Sequence, residues 1–300
     1  MPINKDKLQS LRQKIDAIDN SLHDLIMERT QVVEEVRLVK QGEKIKIRPA
    51  REAEIIYRLI GRHKGPFPKQ ELARIWRELI VATLRFEGPF SVAVSESDHK
   101  TGYWDLARDQ YGSFTPTTKH HSHKSVVNAV RDQTATVGIL PMPKTNDTEH
   151  WWPFLLSDKT SPVLIMARLP FIPGDNSNKL NGFDALVIST VPQEKTGRDH
   201  SFLTIESQKE ISNEVIENAL AKVKLPIIFQ QKYFNPKLST TWLHLIEVDG
   251  FVDIENSQLS LLKKELANKI TSVSHLGGYA KPLEPSEVVN NINFSKEGRA

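Results

Sequence analysis

Cysteine is absent from this 300-residue chain. That excludes disulfide bonds and thiolate metal ligands, and it suits a reducing, cytoplasmic setting. Long apolar runs are missing too. The longest falls far short of the ~18 residues that a membrane helix needs, so no span is expected. The opening Met-Pro-Ile-Asn-Lys-Asp leads directly into an amphipathic pattern with no apolar stretch of the signal-peptide kind, so no secretory leader is expected. Nor is charge of one sign gathered into blocks. The 40 basic and 37 acidic residues are interspersed and leave a net charge of +3, without the clustered basic stripe that nucleic-acid binding requires. The run His120-His121-Ser122-His123 has no acidic ligand close in sequence, and a metal site needs three or four converging donors. It reads as a solvated loop, and no metal or cofactor is expected.

What the chain does have is a long amphipathic opening. Leu8, Leu11, Ile15, Ile18, Leu22, Leu25, Ile26, Val32, Val33 and Val36 recur at helical spacing from about Asp6 to Lys40. A helix of about 35 residues is ~50 Å long, more than one small domain covers, which argues for sharing between two subunits. Arg12, Arg29 and Lys40 interrupt or flank the stripe. The spacing of Arg29 and Lys40 is three turns plus about 20°, so they line up, whereas Arg12 sits roughly 100° away round the cylinder. Arg12 is therefore better placed for a site on a partner helix.

A glycine-marked stop after Lys40 precedes a second helix starting near Pro49, with proline tolerated in the first turn. Ile55, Ile56, Leu59 and Glu52 form its stripe, and a carboxylate on an inward face needs a partner. A third helix runs from about Lys69 to Glu87, with Leu72, Ile75, Trp76, Leu79, Ile80 and Leu84 inward and Thr83 and Glu87 on the same side.

From Phe90 the character changes to short apolar strands, Ser91–Val94, Thr136–Pro141, Pro162–Ala167 and Ala185–Thr190, with a helix over 125–131. Beyond these come a strand at 201–205, a helix at 210–222, strands at 227–229 and 242–249, a helix at 258–269 and a strand at 270–276. That β-α-β-β-α-β order is the ferredoxin-like split motif. The expected organisation is an all-α segment over 1–89, an α/β domain over 90–193, a ferredoxin-like α+β domain over 194–285, and a polar tail over 286–300. Trp151-Trp152-Pro153 reads as core packing.

Taken together, Leu11-Arg12-Gln13-Lys14-Ile15-Asp16 with Asp19, Glu28-Arg29 followed by Lys40, Arg51-Glu52, and Thr83 with Glu87 resemble the all-helical class of chorismate mutase. The resemblance covers residues 5–90. It implies an intertwined three-helix dimer with two shared sites, chorismate as substrate and prephenate as product. It also implies that Arg12 of one subunit, with Arg29 and Arg51 of the other, holds the substrate carboxylates. Lys40 and Glu87 approach the ether oxygen, Glu52 takes the ring hydroxyl, and Thr83 stands where the family often has serine. Many members place glutamine where Glu87 stands. An ionised glutamate cannot donate a hydrogen bond, so Glu87 is expected to act protonated and activity to fall as pH rises.

Residues 90–285 resemble a prephenate dehydratase domain of the periplasmic-binding-protein-like type followed by an ACT-type domain. The traces are Ala135–Pro141, Lys195-Thr196-Gly197-Arg198-Asp199, Trp242–Asp249 and Leu276-Gly277-Gly278-Tyr279. The family's Thr-Arg-Phe is replaced by Phe183-Asp184-Ala185, and its Glu-Asn by Pro143-Lys144. Its opening glycine loop is not recognisable near Ser95 to Tyr103, and its regulatory signatures give way to Ile211–Glu214 and Gln230–Tyr233. The expectation is a retained fold without dehydratase chemistry, attached to an active mutase. Alternatives are a bifunctional mutase and dehydratase, pyruvate elimination from isochorismate on the same helical fold, and a non-catalytic binding or regulatory protein.

Overall fold

A computed structural model of the chain describes residues 5–40, 47–84, 88–96, 102–158, 160–173, 183–236, 240–252 and 257–289. The chain divides into two compact units, Met1–Lys46 with Ala82–Pro89, and Ile47–Val81 with Phe90–Ala300.

In the first unit, helix α1 spans Lys5–Val39 and buries none of its residues. Its apolar stripe stands open along the helix, with Leu22 at 53% and Leu25 at 59% exposure. Side chains of this kind at helical spacing are stabilising only when a second surface covers them.

The second unit begins with α2 (Pro49–Arg62) and α3 (Lys69–Leu84, whose last three residues belong to the first unit). Pro49 starts α2 where a missing N–H costs nothing. The inner face of α2 is Glu52, Ala53, Ile56, Leu59 and Ile60. Alternation of small and large residues on α3 buries Ala73, Arg77, Ile80 and Val81, while Ile75 is exposed. The inward face of α3 is therefore rotated from the one expected, because Arg77 takes a position that apolar periodicity alone would not give to a cation.

The rest of the unit is β1 (Val92–Ser95), α4 (Gly102–Tyr111), β2 (Thr117–His120), α5 (His123–Arg131), β3 (Val137–Pro141), a 3-10 turn (Trp152–Ser157), β4 (Leu164–Leu169) and β5 (Ala185–Ser189). There follow β6 (Asp199–Ser207), α6 (Asn213–Lys222), β7 (Ile227–Tyr233), β8 (Trp242–Asp249), α7 (Ser257–Glu265), β9 (Ser272–Ala280) and α8 (Pro285–Val288). The strands form one nine-stranded sheet in the order β2-β1-β3-β5-β4-β9-β6-β8-β7. Its second half, β9-β6-β8-β7, is antiparallel throughout. That is the ferredoxin-like order, as the sequence led us to expect.

The halves meet where Ile165 of β4 pairs with Gly277 of β9. Gly277 has φ +94°, and a Cβ there would lie 2.1 Å from the Ile165 carbonyl oxygen, so only glycine allows the two backbones to come together. A polar chain, buried at Tyr279 and Glu247, spans the same junction. Arg168 of β4 donates to Asp184 at 2.6 Å and to the Tyr279 hydroxyl at 3.3 Å, and Tyr279 donates to Glu247 of β8.

Trp151 and Trp152 are core residues. Their indole N–H groups donate to the Pro141 carbonyl at 2.9 Å and to Gln231 Oε1 at 2.8 Å. The histidine run is structured, with His120 ending β2, Ser122 capping α5 by accepting from the Ser125 N–H, and His123 buried in its first turn. Among the described residues no cluster of His, Asp and Glu is placed to hold a metal, and no helix is long and apolar enough to cross a membrane. Residues 285–288 form a helical turn with a capping box, where a loose tail was expected from 286.

Candidate functional site

The residues singled out in the sequence fall in both units. Arg12, Arg29, Lys40 and Thr83 belong to the first, and Arg51 and Glu52 to the second. Glu87 lies outside the described residues. Arg12 is exposed on α1, while Arg29 and Lys40 are half-buried. Burial pulls the Arg29 guanidinium below its ordinary range, although it stays cationic at any physiological pH. Lys40 follows the helix directly, its N–H donating to the Val36 carbonyl at 3.1 Å. Thr83 is buried.

On α2 the neighbours Arg51 and Glu52 diverge, as residues 100° apart on a helix must. Arg51 is exposed and its Nη1 donates to Glu54 Oε2 at 3.3 Å. Glu52 is 7% exposed. The partner that its inward carboxylate requires is Arg77, whose Nη1 donates to Glu52 Oε2 at 2.5 Å. Arg77 is 3% exposed and its Cζ sits 5.5 Å from the centre of the Phe171 ring. A cavity of about 20 Å³ adjoins the pair, lined also by Tyr111, Met166 and Phe171. Burial, with the Glu52 charge adding to it, holds the Tyr111 phenol above its ordinary range, so it remains protonated.

The hairpin of α2 and α3 is tied to the sheet by specific contacts. Ala53, Ile56, Ile60 and Ala73 share a core with Phe171, Leu283 and Val288. The Tyr57 hydroxyl donates to the Lys281 carbonyl, and Arg48 donates to Glu194 at 2.5 Å. Arg198 donates two bonds, of 2.7 and 2.8 Å, to Glu287, and its guanidinium lies 4.3 Å from the Tyr57 ring centre. Sequence reasoning missed Arg77. The signal available for it was its position four residues after Ala73 and three before Ile80, on one face with both.

Planar guanidinium groups bind carboxylates in pairs of parallel bonds, and the sequence holds Arg12, Arg29, Lys40 and Arg51 within one segment. Comparison with known proteins agrees on the segment concerned. Residues 11–88 match the family model of chorismate mutase type II. Curated relatives include a bifunctional chorismate mutase/prephenate dehydratase of Stutzerimonas stutzeri, 37% identical over 94 residues, covering 29% of this chain and 26% of that protein. The protein of the same description from Pseudomonas aeruginosa is 30% identical over 152 residues, covering 49% of this chain and 41% of its own length. The chain thus spans from a quarter to two fifths of the length of these relatives. Among solved structures, a prephenate dehydratase from Streptococcus mutans covers 64% of this chain and 98% of its own, at 12% identity and a TM-score of 0.46. The chain described as GqqA, a novel type of quorum quenching acylase, gives the same TM-score of 0.46 at 16% identity.

Proposed function

We propose that this protein is a chorismate mutase of phenylalanine and tyrosine biosynthesis, acting as a homodimer through its N-terminal helices, without a cofactor, in the cytoplasm. The observation that carries the reading is the joint spacing of Arg12, Arg29, Lys40, Arg51, Glu52, Thr83 and Glu87 inside a segment whose family model is that of chorismate mutase type II. The open apolar stripe of α1 supports the dimer, because a second copy supplies a matching stripe. In the assembled dimer the helical domain spans residues 1–89 and Arg12 serves the neighbouring subunit's site.

The reaction is a pericyclic rearrangement in which no proton need move and no covalent intermediate forms. The protein's work is to hold the enolpyruvyl chain over the ring and to stabilise charge growing on the ether oxygen. Arg12, Arg29 and Arg51 do the first by binding the two carboxylates. Lys40 and protonated Glu87 do the second, Glu52 accepts from the ring hydroxyl, and Thr83 contacts substrate. The C-terminal two-thirds, with its ACT-like order, is catalytically silent. Phe183-Asp184-Ala185 offers no hydroxyl to assist loss of water, and Asp184 is engaged by Arg168 at 2.6 Å.

Subunit mixing tests the shared site. Arg12→Ala and Arg29→Ala proteins are each expected to lose chorismate turnover. Mixed in equal amounts after reversible dissociation, they should recover about a quarter of wild-type activity, since half of the dimers then carry one intact site of two. No recovery would sink the shared geometry. In wild type, turnover should fall as pH rises, and Glu87→Gln should abolish that slope.

A further inference from the structure

Arg77 is assigned to no substrate contact above, yet it is the described partner of a carboxylate that the proposed reaction uses. An ionised glutamate at 7% exposure is costly unless a cation answers it, and Arg77 answers Glu52 with a 2.5 Å charge-assisted bond. A carboxylate accepts several hydrogen bonds at once, so pairing with Arg77 is compatible with accepting from a ring hydroxyl. Arg77 in turn is not held by its own helix alone. Its guanidinium lies over Phe171, which follows β4 in the α/β module, and its Nε and the Tyr111 hydroxyl, both without a hydrogen-bond partner among the described residues, belong to residues lining one cavity of about 20 Å³. That volume has room for a water beside the pair.

We propose that Arg77 is the positioning residue of the mutase site, fixing the orientation and negative charge of Glu52, and that the α/β module contributes to the reaction by fixing Arg77 through Phe171. The inference rests on the mutase reading and gives the dehydratase-like module a task that needs none of the missing dehydratase residues. A face of α2 that carried Glu52 without Arg77 would present either a neutral carboxyl, which donates where an acceptor is needed, or a carboxylate free to turn away. The planar guanidinium suits this place better than an ammonium, because it can lie on an aromatic ring and donate from its edge together.

The test is a double-mutant cycle in the full chain, reading kcat and KM for chorismate in Arg77→Met, Arg77→Lys, Phe171→Leu, Glu52→Gln and the pair Glu52→Gln/Arg77→Met. The expected result is a loss of about 10- to 100-fold in kcat/KM for Arg77→Met, the size usual when a residue supporting a site residue is removed. Arg77→Lys should restore part of it, and Phe171→Leu should lose less than Arg77→Met. The decisive comparison is the Glu52→Gln background, where Arg77→Met should change turnover less than about threefold, because residues acting through one another are not additive. Should Arg77→Met fail to fold, Arg77→Lys and Phe171→Leu carry the same comparison in both backgrounds. Losses that multiply independently would overturn the proposal while leaving the mutase reading intact. Absence of turnover in wild type would overturn the mutase reading and this inference with it.

Discussion

Truncating Arg77 leaves the Glu52 carboxylate beside Ala53, Ile56 and Phe171 with its cation removed. Breaking a buried pair from one side costs about 3 to 5 kcal/mol, whereas replacing both partners with apolar residues is often neutral. Arg77→Met should therefore lower the unfolding free energy by that amount in denaturant titration, and Glu52→Met/Arg77→Met should recover most of it. A single variant as stable as wild type would show that the pair is not closed off from water. His244 presents the opposite case. It is fully buried in β8 and neither ring nitrogen has a hydrogen-bond partner among the described residues. Burial first, then the positive charge of Lys232 on the neighbouring strand, hold its pKa below the ordinary value, against a smaller opposing pull from Glu210. With the folded-state pKa lowered, the unfolded chain binds the proton more readily. Stability is then complete above about pH 6.5 and declines as pH falls towards the folded-state value. His244→Leu should flatten that decline in thermal melts from pH 7.5 to 5.0; an unchanged slope would assign it to His120 and His150, whose pKa values burial also lowers. At this scale the sequence showed that Glu52 lies inward and needs an answer, but not which cation gives it. Arg77 is 25 residues away on another helix, and a cation within an apolar stripe reads by default as a rim residue with a wet head.

Among the elements, α1 was legible to within a residue or two, because ten apolar positions repeating over its length leave no other period. The ferredoxin-like half was legible in its element order, with the two helices between the expected strand pairs, while β7 runs on to Tyr233 and β9 to Ala280, beyond the apolar residues that marked them. α4 and β2 were not anticipated. α4 begins with glycine and buries Tyr103, Leu106, Ala107 and Tyr111 among charged neighbours, and β2 is Thr-Thr-Lys-His, an edge strand with no apolar alternation. Their structure comes from pairing and packing rather than from local pattern. For α1 the consequence is an oligomer prediction. Leu22 and Leu25 are both more than half exposed, and seating them against a second copy is worth roughly 1.5 to 3 kcal/mol each when fully buried. Leu22→Asp with Leu25→Asp should convert the proposed dimer to monomer in light scattering after size exclusion. A dimer that survives both changes would show that another surface holds the copies together.

For the molecule as a whole, a family-matched segment of 78 residues, 11–88, accompanies a nine-stranded α/β module over twice its length. The α2–α3 hairpin is bound to that module by a shared core and by the Arg198–Glu287 and Tyr57–Lys281 contacts. A module so attached affects the helices whether or not it turns over a substrate of its own, and the departures at Phe183-Asp184-Ala185 were readable in sequence because they fall inside an otherwise traceable frame. What sequence did not reveal is the physical link, since Phe171, Leu283 and Val288 carry no motif and acquire their part only by lying beneath α2. The measurement that bears most directly on the account is turnover of chorismate by the purified full chain, with products separated by chromatography. Prephenate as the sole product, formed faster at pH 5 than at pH 8, is the predicted result. Phenylpyruvate would contradict the silent second module, and no product would contradict the mutase itself.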